Sequence, residues 1–136
     1  MKRRVVYIVL IGLIASTAIV ASAGAAMHRR KFQMPSHNIG CAFYAHSLRC
    51  DIRSGLNPEP QRRCNGDWTG VYVDADGKAG AVCAGDTAYD SHARELAYGR
   101  KWKRQGIVCH SRETGLRCRN HRGHGFFLSR ERWNTF

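Results

Sequence analysis

The sequence predicts a small all-β or β-rich single domain of short antiparallel strands and hairpins, stapled by three disulfides. Three observations carry this. Short runs of strand-forming residues recur between turn signals at close spacing. The chain has 136 residues and six cysteines, an even number in a short chain, which reads as a disulfide framework. One hairpin pattern also occurs twice.

Taken in order, Met27 to Phe32 is a short basic lead-in. Pro35-Ser36-His37-Asn38 makes a turn before Ile39-Gly40-Cys41, and Cys50 follows after Ala42 to Arg49. Asn57-Pro58-Glu59-Pro60 breaks any regular element, so residues 53–63 form a surface connection. Val71 and Val73 then alternate with Tyr72, and Asp76-Gly77 has the composition of a tight turn with positive φ before the strand-compatible run Ala79 to Cys83. Ser91 to Ala97 predicts two helical turns capped by Asp90 or Ser91. Tyr98-Gly99 ends them, and the basic run Arg100-Lys101-Trp102-Lys103-Arg104 follows.

Ile107 to Cys118 is the clearest hairpin. Cys109 and Cys118 flank the polar turn Arg112-Glu113-Thr114-Gly115. With Glu113 and Thr114 at the tip, the two cysteines face each other at about 4.5–5.5 Å between Cα atoms, within reach of a disulfide. Strand alternation puts Ile107, Cys109, Leu116 and Cys118 on one face and points Arg117 to the other. Shifted by 68 positions, Ile39, Cys41, Leu48, Arg49 and Cys50 coincide with Ile107, Cys109, Leu116, Arg117 and Cys118. Both segments therefore read as hairpins of one design, clasped by Cys41 with Cys50 and Cys109 with Cys118. Cys64 with Cys83 is the pair left over. Phe126-Phe127-Leu128 adds a further strand near the end.

At the other end, Lys2-Arg3-Arg4 precedes an apolar run from Val5 to Ile14, and small residues crowd Ala21 to Ala26. That order predicts a secretory signal peptide over residues 1–26, with an uncleaved anchor as the competing reading. Cleavage would remove three cations and no acid, taking the formal charge from +12 to +9. The expected location is secreted or periplasmic, where cysteines oxidise.

The motifs Pro35-Ser-His-Asn-Ile-Gly-Cys41, Cys83-Ala-Gly-Asp-Thr87, Tyr98-Gly99, Cys109-His-Ser111, Gly115-Leu-Arg-Cys-Arg-Asn120 and Gly123-His-Gly-Phe-Phe-Leu-Ser-Arg130 occur in this order. With them the chain resembles a family of small exported bacterial proteins classed as a domain of unknown function, over roughly residues 32–133. The resemblance implies export and one compact domain. It carries over no catalytic residue, cofactor or substrate, and His37 stands where members of that family often have a small residue.

No cofactor or metal site is predicted. No C-x₂-C pair suits a zinc finger, Asp74-x-Asp76-Gly77 lacks the remaining ligands of a calcium loop, and no G-x-S-x-G elbow exists. The enzyme reading rests on His124, His110 and Asp86 converging as base, orienter or metal ligands of a small secreted hydrolase or metal-dependent enzyme. Basic charge points elsewhere. Arg49, Arg100, Lys101, Lys103, Arg104 and Arg117 are the candidate anion contacts, interleaved with aromatic residues that suit polyanions. Outside the cytoplasm the partners would be anionic polysaccharide, lipid head groups or extracellular nucleic acid. The leading expectation is thus a non-catalytic binding module for an anionic envelope or extracellular partner. A protein-binding inhibitor module is a further alternative, since a disulfide-rigid scaffold loses little entropy on binding. Mass analysis of the exported fraction is expected to show a product beginning near Met27; full-length chain found only in membranes would refute cleavage.

Overall fold

The computed structural model describes residues 30–136. The signal segment of residues 1–26 lies outside the described residues. Ten strands form: β1 Lys31–Gln33, β2 Ile39–Tyr44, β3 Ser47–Ile52, β4 Asp67–Asp74, β5 Ala79–Ala84, β6 Lys101–Arg104, β7 Ile107–Arg112, β8 Gly115–Arg119, β9 Gly125–Leu128 and β10 Trp133–Thr135. They make two five-stranded antiparallel sheets, β1 to β5 and β6 to β10, each with neighbours in chain order. The fold is all-β, with no helix among the described residues.

Alternation decides which side chains enter the core. Ile39, Cys41 and Phe43 of β2 face inward with Leu48, Cys50 and Ile52 of β3 and Val71 and Val73 of β4. From the second sheet come Ile107, Cys109, Leu116, Cys118, Phe126 and Leu128, and the two sets form one continuous core. Phe32 and Phe43 reach across to Trp102, with ring centroids 5.2 and 6.2 Å apart. The hairpin rungs sit at the centre: Cys41 is bonded to Cys50 and Cys109 to Cys118, all four almost fully buried. Their Cα separations are 4.1 and 4.0 Å, closer than the sequence estimate. The third disulfide, Cys64 with Cys83, ties the connection before β4 to β5 at the surface.

The repeat extends beyond its sequence signal. Asp51 of β3 pairs with Gly70 of β4, and Arg119 of β8 pairs with Gly125 of β9. At both glycines a Cβ would run into the carbonyl oxygen of the preceding strand's cysteine, Cys50 in one half and Cys118 in the other. The same close approach is therefore built twice, and only glycine permits it.

The two halves differ in what covers them. Residues 85–96 form a strap that begins on the outer side of the first sheet, at Arg49 and Asp51, and ends beside its edge strand β1. Arg49 holds it, donating to the Asp86 carboxylate at 2.9 Å and to the Asp86 carbonyl at 2.7 Å. Asp51 accepts from Arg49 at 2.9 and 2.8 Å and from the Ala88 amide at 2.7 Å. Farther along, Gln33 on β1 donates through its side chain to Ser91 and Ala93 carbonyls, while its backbone bonds Arg94 and Leu96.

Two sequence expectations are corrected here. Ser91 to Ala97 is not helical: Asp90 makes one turn with His92 and Ala93, after which the chain runs extended beside β1. So short a helix has a costly nucleus, and Gln33 and Ser111 take up the backbone groups it would need. The β4–β5 connection also works without positive φ at Gly77, which is absent from the left-handed glycines. Asn120 stabilises that turn instead, donating to the Asp74 and Gly77 carbonyls at 2.8 and 2.7 Å while accepting from the Arg122 and His124 amides. It is fully buried and makes its whole complement of bonds, donating into the first half and accepting within its own turn.

Arg49→Met would strand the buried Asp51 carboxylate and release the strap. Urea titration is expected to show a loss of about 3–5 kcal/mol, against a change within about 0.5 kcal/mol for Arg117→Met at the corresponding but exposed position.

Candidate anion-binding face

The outer face of the second sheet follows from register. Lys101 pairs with His110, His110 with Arg117 and Arg117 with Phe127, so the four side chains stand in one row. The next row along the same face holds Lys103, Val108 and Arg119, ending at Gly125. Arg112, two residues beyond His110 on the same face, stands in a further row opposite Gly115. Lys101, Lys103, Arg112, Arg117 and Arg119 are all exposed. Between them lies a shallow hollow of about 670 Å³ whose lining includes His110, Arg112, Arg117, Arg119, His121 and Phe127 and contains no carboxylate.

Aromatic rings fix two of the cations. The Arg117 guanidinium lies 4.0 Å from the Phe136 ring centroid, and that of Arg132 lies 5.1 Å from Phe127. Such stacking occupies the guanidinium face and leaves its edge N–H groups for an anion. Asp76 pairs with His121, which lines the hollow, at 3.3 Å. His110 registers the electrostatics: burial, and then the charges of Lys101, Arg112 and Lys103, hold its imidazole below the ordinary pKa of 6.5. A chain that places so many like charges around a histidine has a face where any anion would be stabilised.

The candidate residues separate. Lys101, Lys103 and Arg117 lie on this face, and Arg112 and Arg119 join them. Neither was among the candidates; their sequence signal is the two-residue step along a strand, from Arg117 to Arg119 and from His110 to Arg112. Arg100 is exposed beside β6, where its carbonyl accepts from the Ser111 amide. Arg104 alternates inward, stacks 5.2 Å from the Phe43 ring centroid and has a buried Nε with no hydrogen-bond partner. Arg49 is on the other sheet with its side chain only 16% exposed, committed to Asp51 and Asp86.

The enzyme trio does not assemble. Asp86 is bound by Arg49 on the outer side of the first sheet, and that guanidinium holds its carboxyl below the usual carboxylate range. His110 is on the outer side of the second sheet, across the shared core. His124 is half-buried in the turn before β9, its amide bonded to Asn120. No group of three or more metal-ligating side chains occurs among the described residues.

Fold and site together define a disulfide-stapled, two-sheet β domain with a basic outer face. The chain belongs to DUF6636, a family of unknown function, which it matches over residues 9–136. No curated protein and no solved structure matches it.

Because the folded-state pKa of His110 lies below 6.5, the unfolded chain takes up its proton first as the pH falls. His110 therefore subtracts stability progressively below about pH 6.5, and the loss is complete once the pH is below the folded value. Thermal melts across a pH series are expected to show a flatter decline of Tm on acidification for His110→Gln than for the parent chain. An unchanged decline would remove His110 from the basic field.

Proposed function

We propose that this chain is an exported, non-catalytic binding module for an anionic envelope or extracellular partner. The observation that carries the reading is the carboxylate-free hollow ringed by Arg112, Arg117 and Arg119, with Lys101 and Lys103 on the adjoining strand. A soluble surface of no special purpose would intersperse both signs, because like charges crowded on adjacent strands destabilise the sheet. Anionic polysaccharide, lipid head groups and extracellular nucleic acid all present the charge this face attracts.

Export is supported by the apolar leader with its basic start and small-residue end, and by six cysteines all engaged in disulfides. Among the described residues no helix is long and apolar enough to cross a membrane. A hydrolytic or metal-dependent role for His124, His110 and Asp86 finds no support in their separation. The rigid scaffold also suits protein recognition.

Heparin, duplex DNA and anionic vesicles are the probes that test the reading. Binding of micromolar or weaker affinity is expected, falling steeply with salt as counterions are released. Combining Lys101→Ser, Lys103→Ser, Arg117→Ser and Arg119→Ser should reduce the magnitude of the log–log salt slope by about 2–4 on the best ligand without lowering Tm. Binding to all three probes that is undetectable near physiological salt, or that survives the fourfold substitution unchanged, would reject the proposal.

A further inference from the structure

The first half of the molecule contains a worked example of what the second half leaves open. On β3, Arg49 and Asp51 stand two residues apart on the outer face and receive two strap residues that are also two apart, Asp86 and Ala88. Arg49 reads Asp86 twice, by its carboxylate and by its main-chain carbonyl. Asp51, being an acid, takes the Ala88 amide. The contact is thus recognition of a polypeptide segment by the outer face of a strand, made within one chain.

On β8 the matching places are Arg117 and Arg119, by the shared pairing to Gly70 and Gly125 and the shared 68-residue shift. Arginine has replaced the acid at the second place. A segment lying here as the strap lies on β3 would meet two guanidinium groups instead of one guanidinium and one carboxylate. Alternate residues of an extended chain project on the same side about 6.6–6.8 Å apart, which is also the spacing of Arg117 and Arg119 along their strand. Carboxylates at i and i+2 would therefore meet both cations at once, whereas adjacent carboxylates point to opposite sides. Stacking on Phe136 already orients the Arg117 fork, so little side-chain freedom is lost on binding.

We infer that the outer face of β7 and β8 docks an extended acidic polypeptide segment bearing carboxylates two residues apart, one on Arg117 and the other on Arg119. The inference rests on the anion-binding reading above and narrows the partner to a protein. It also explains why this half has no strap on its outer face among the described residues: the acidic segment that closes the first half is supplied in the second by a partner.

Two capped peptides of one composition provide the probe, Ala-Gly-Asp-Thr-Asp-Tyr-Ser and its isomer Ala-Gly-Asp-Asp-Thr-Tyr-Ser. Amide chemical-shift titrations of the purified chain would be run at about 0.15 M salt, where exposed charges are screened beyond roughly 8 Å. The first peptide is expected to shift amides of β7 and β8 and to bind at least about fivefold more tightly than the isomer, as bidentate guanidinium contacts require. Arg117→Lys keeps the charge but loses the fork, so it should erase this preference. Arg119→Ser, a second exposed change, should erase it as well; circular dichroism checks both folds. Equal binding of the isomers, shifts confined to other strands, or a preference that persists in both variants would overturn the acidic-segment inference. If heparin, DNA or vesicles bind nonetheless, the broader anion reading stands and the partner is a non-protein polyanion. Failure of every probe would remove both.

Discussion

The two cross-strand rungs, Cys41 to Cys50 and Cys109 to Cys118, are the constraint on which the rest of the molecule depends. Each sits on the inner face of a hairpin, and because side chains alternate strictly, tying one pair inward sets the side of every other residue on both strands. Slippage by one residue would carry Leu48 or Leu116 out to solvent and bring arginine into the core. A domain of about a hundred described residues buries a limited apolar surface, so covalent rungs that restrict the unfolded chain contribute stability that packing alone supplies less readily. The glycines opposite the cysteine-bearing strands, Gly70 and Gly125, belong to the same device, since they let the next strand approach where a Cβ would collide.

From this common frame the halves diverge on their outer faces. In the first, Arg49 and Asp51 compensate each other, and the Asp51 side chain, only 4% exposed, is satisfied by guanidinium and amide donors. A buried carboxylate is tolerable only with such partners. Asp86, 81% exposed, adds an attachment for the strap at the edge of this pair. Among the described residues the second half has neither the acid nor the strap on its outer face, and Arg117 and Arg119 are exposed, Arg117 stacked on Phe136. One strand architecture thus supplies a closed, charge-neutralised face and an open, basic one. The change from Asp51 to Arg119 at matching positions is the chemical difference with the largest consequence, because it leaves a covering segment two cations to neutralise where the strap meets one, the other place on β3 being an acid that takes a neutral amide.

How much of this was legible follows from the range of the interactions. The clasped hairpins, the β4–β5 hairpin and the outward direction of Arg117 were readable because each depends on residues within about a dozen positions, where turn composition and alternation act directly. The fate of Arg49 was not, since its partner Asp86 lies 37 residues away and nothing local distinguishes it from Arg117. The extended course of Ser91 to Ala97 escaped for the same reason: Gln33, which takes its carbonyls, is about 60 residues distant.

By itself, then, the sequence determined the all-β class, the repeated hairpin and the excess of positive charge, all of which are set by composition and short-range periodicity. Tertiary structure alone decided where that charge acts. Pairing of β6 with β7 through the left-handed Gln105-Gly106 turn sends Lys101 and Lys103 outward and Arg104 inward, splitting a run that reads as one basic cluster. Docking of the strap removed Arg49 from the surface and left the face around Arg117 open. The physical reason is that strand alternation gives every side chain a side, but only the packing of distant segments decides whether that side meets protein or water.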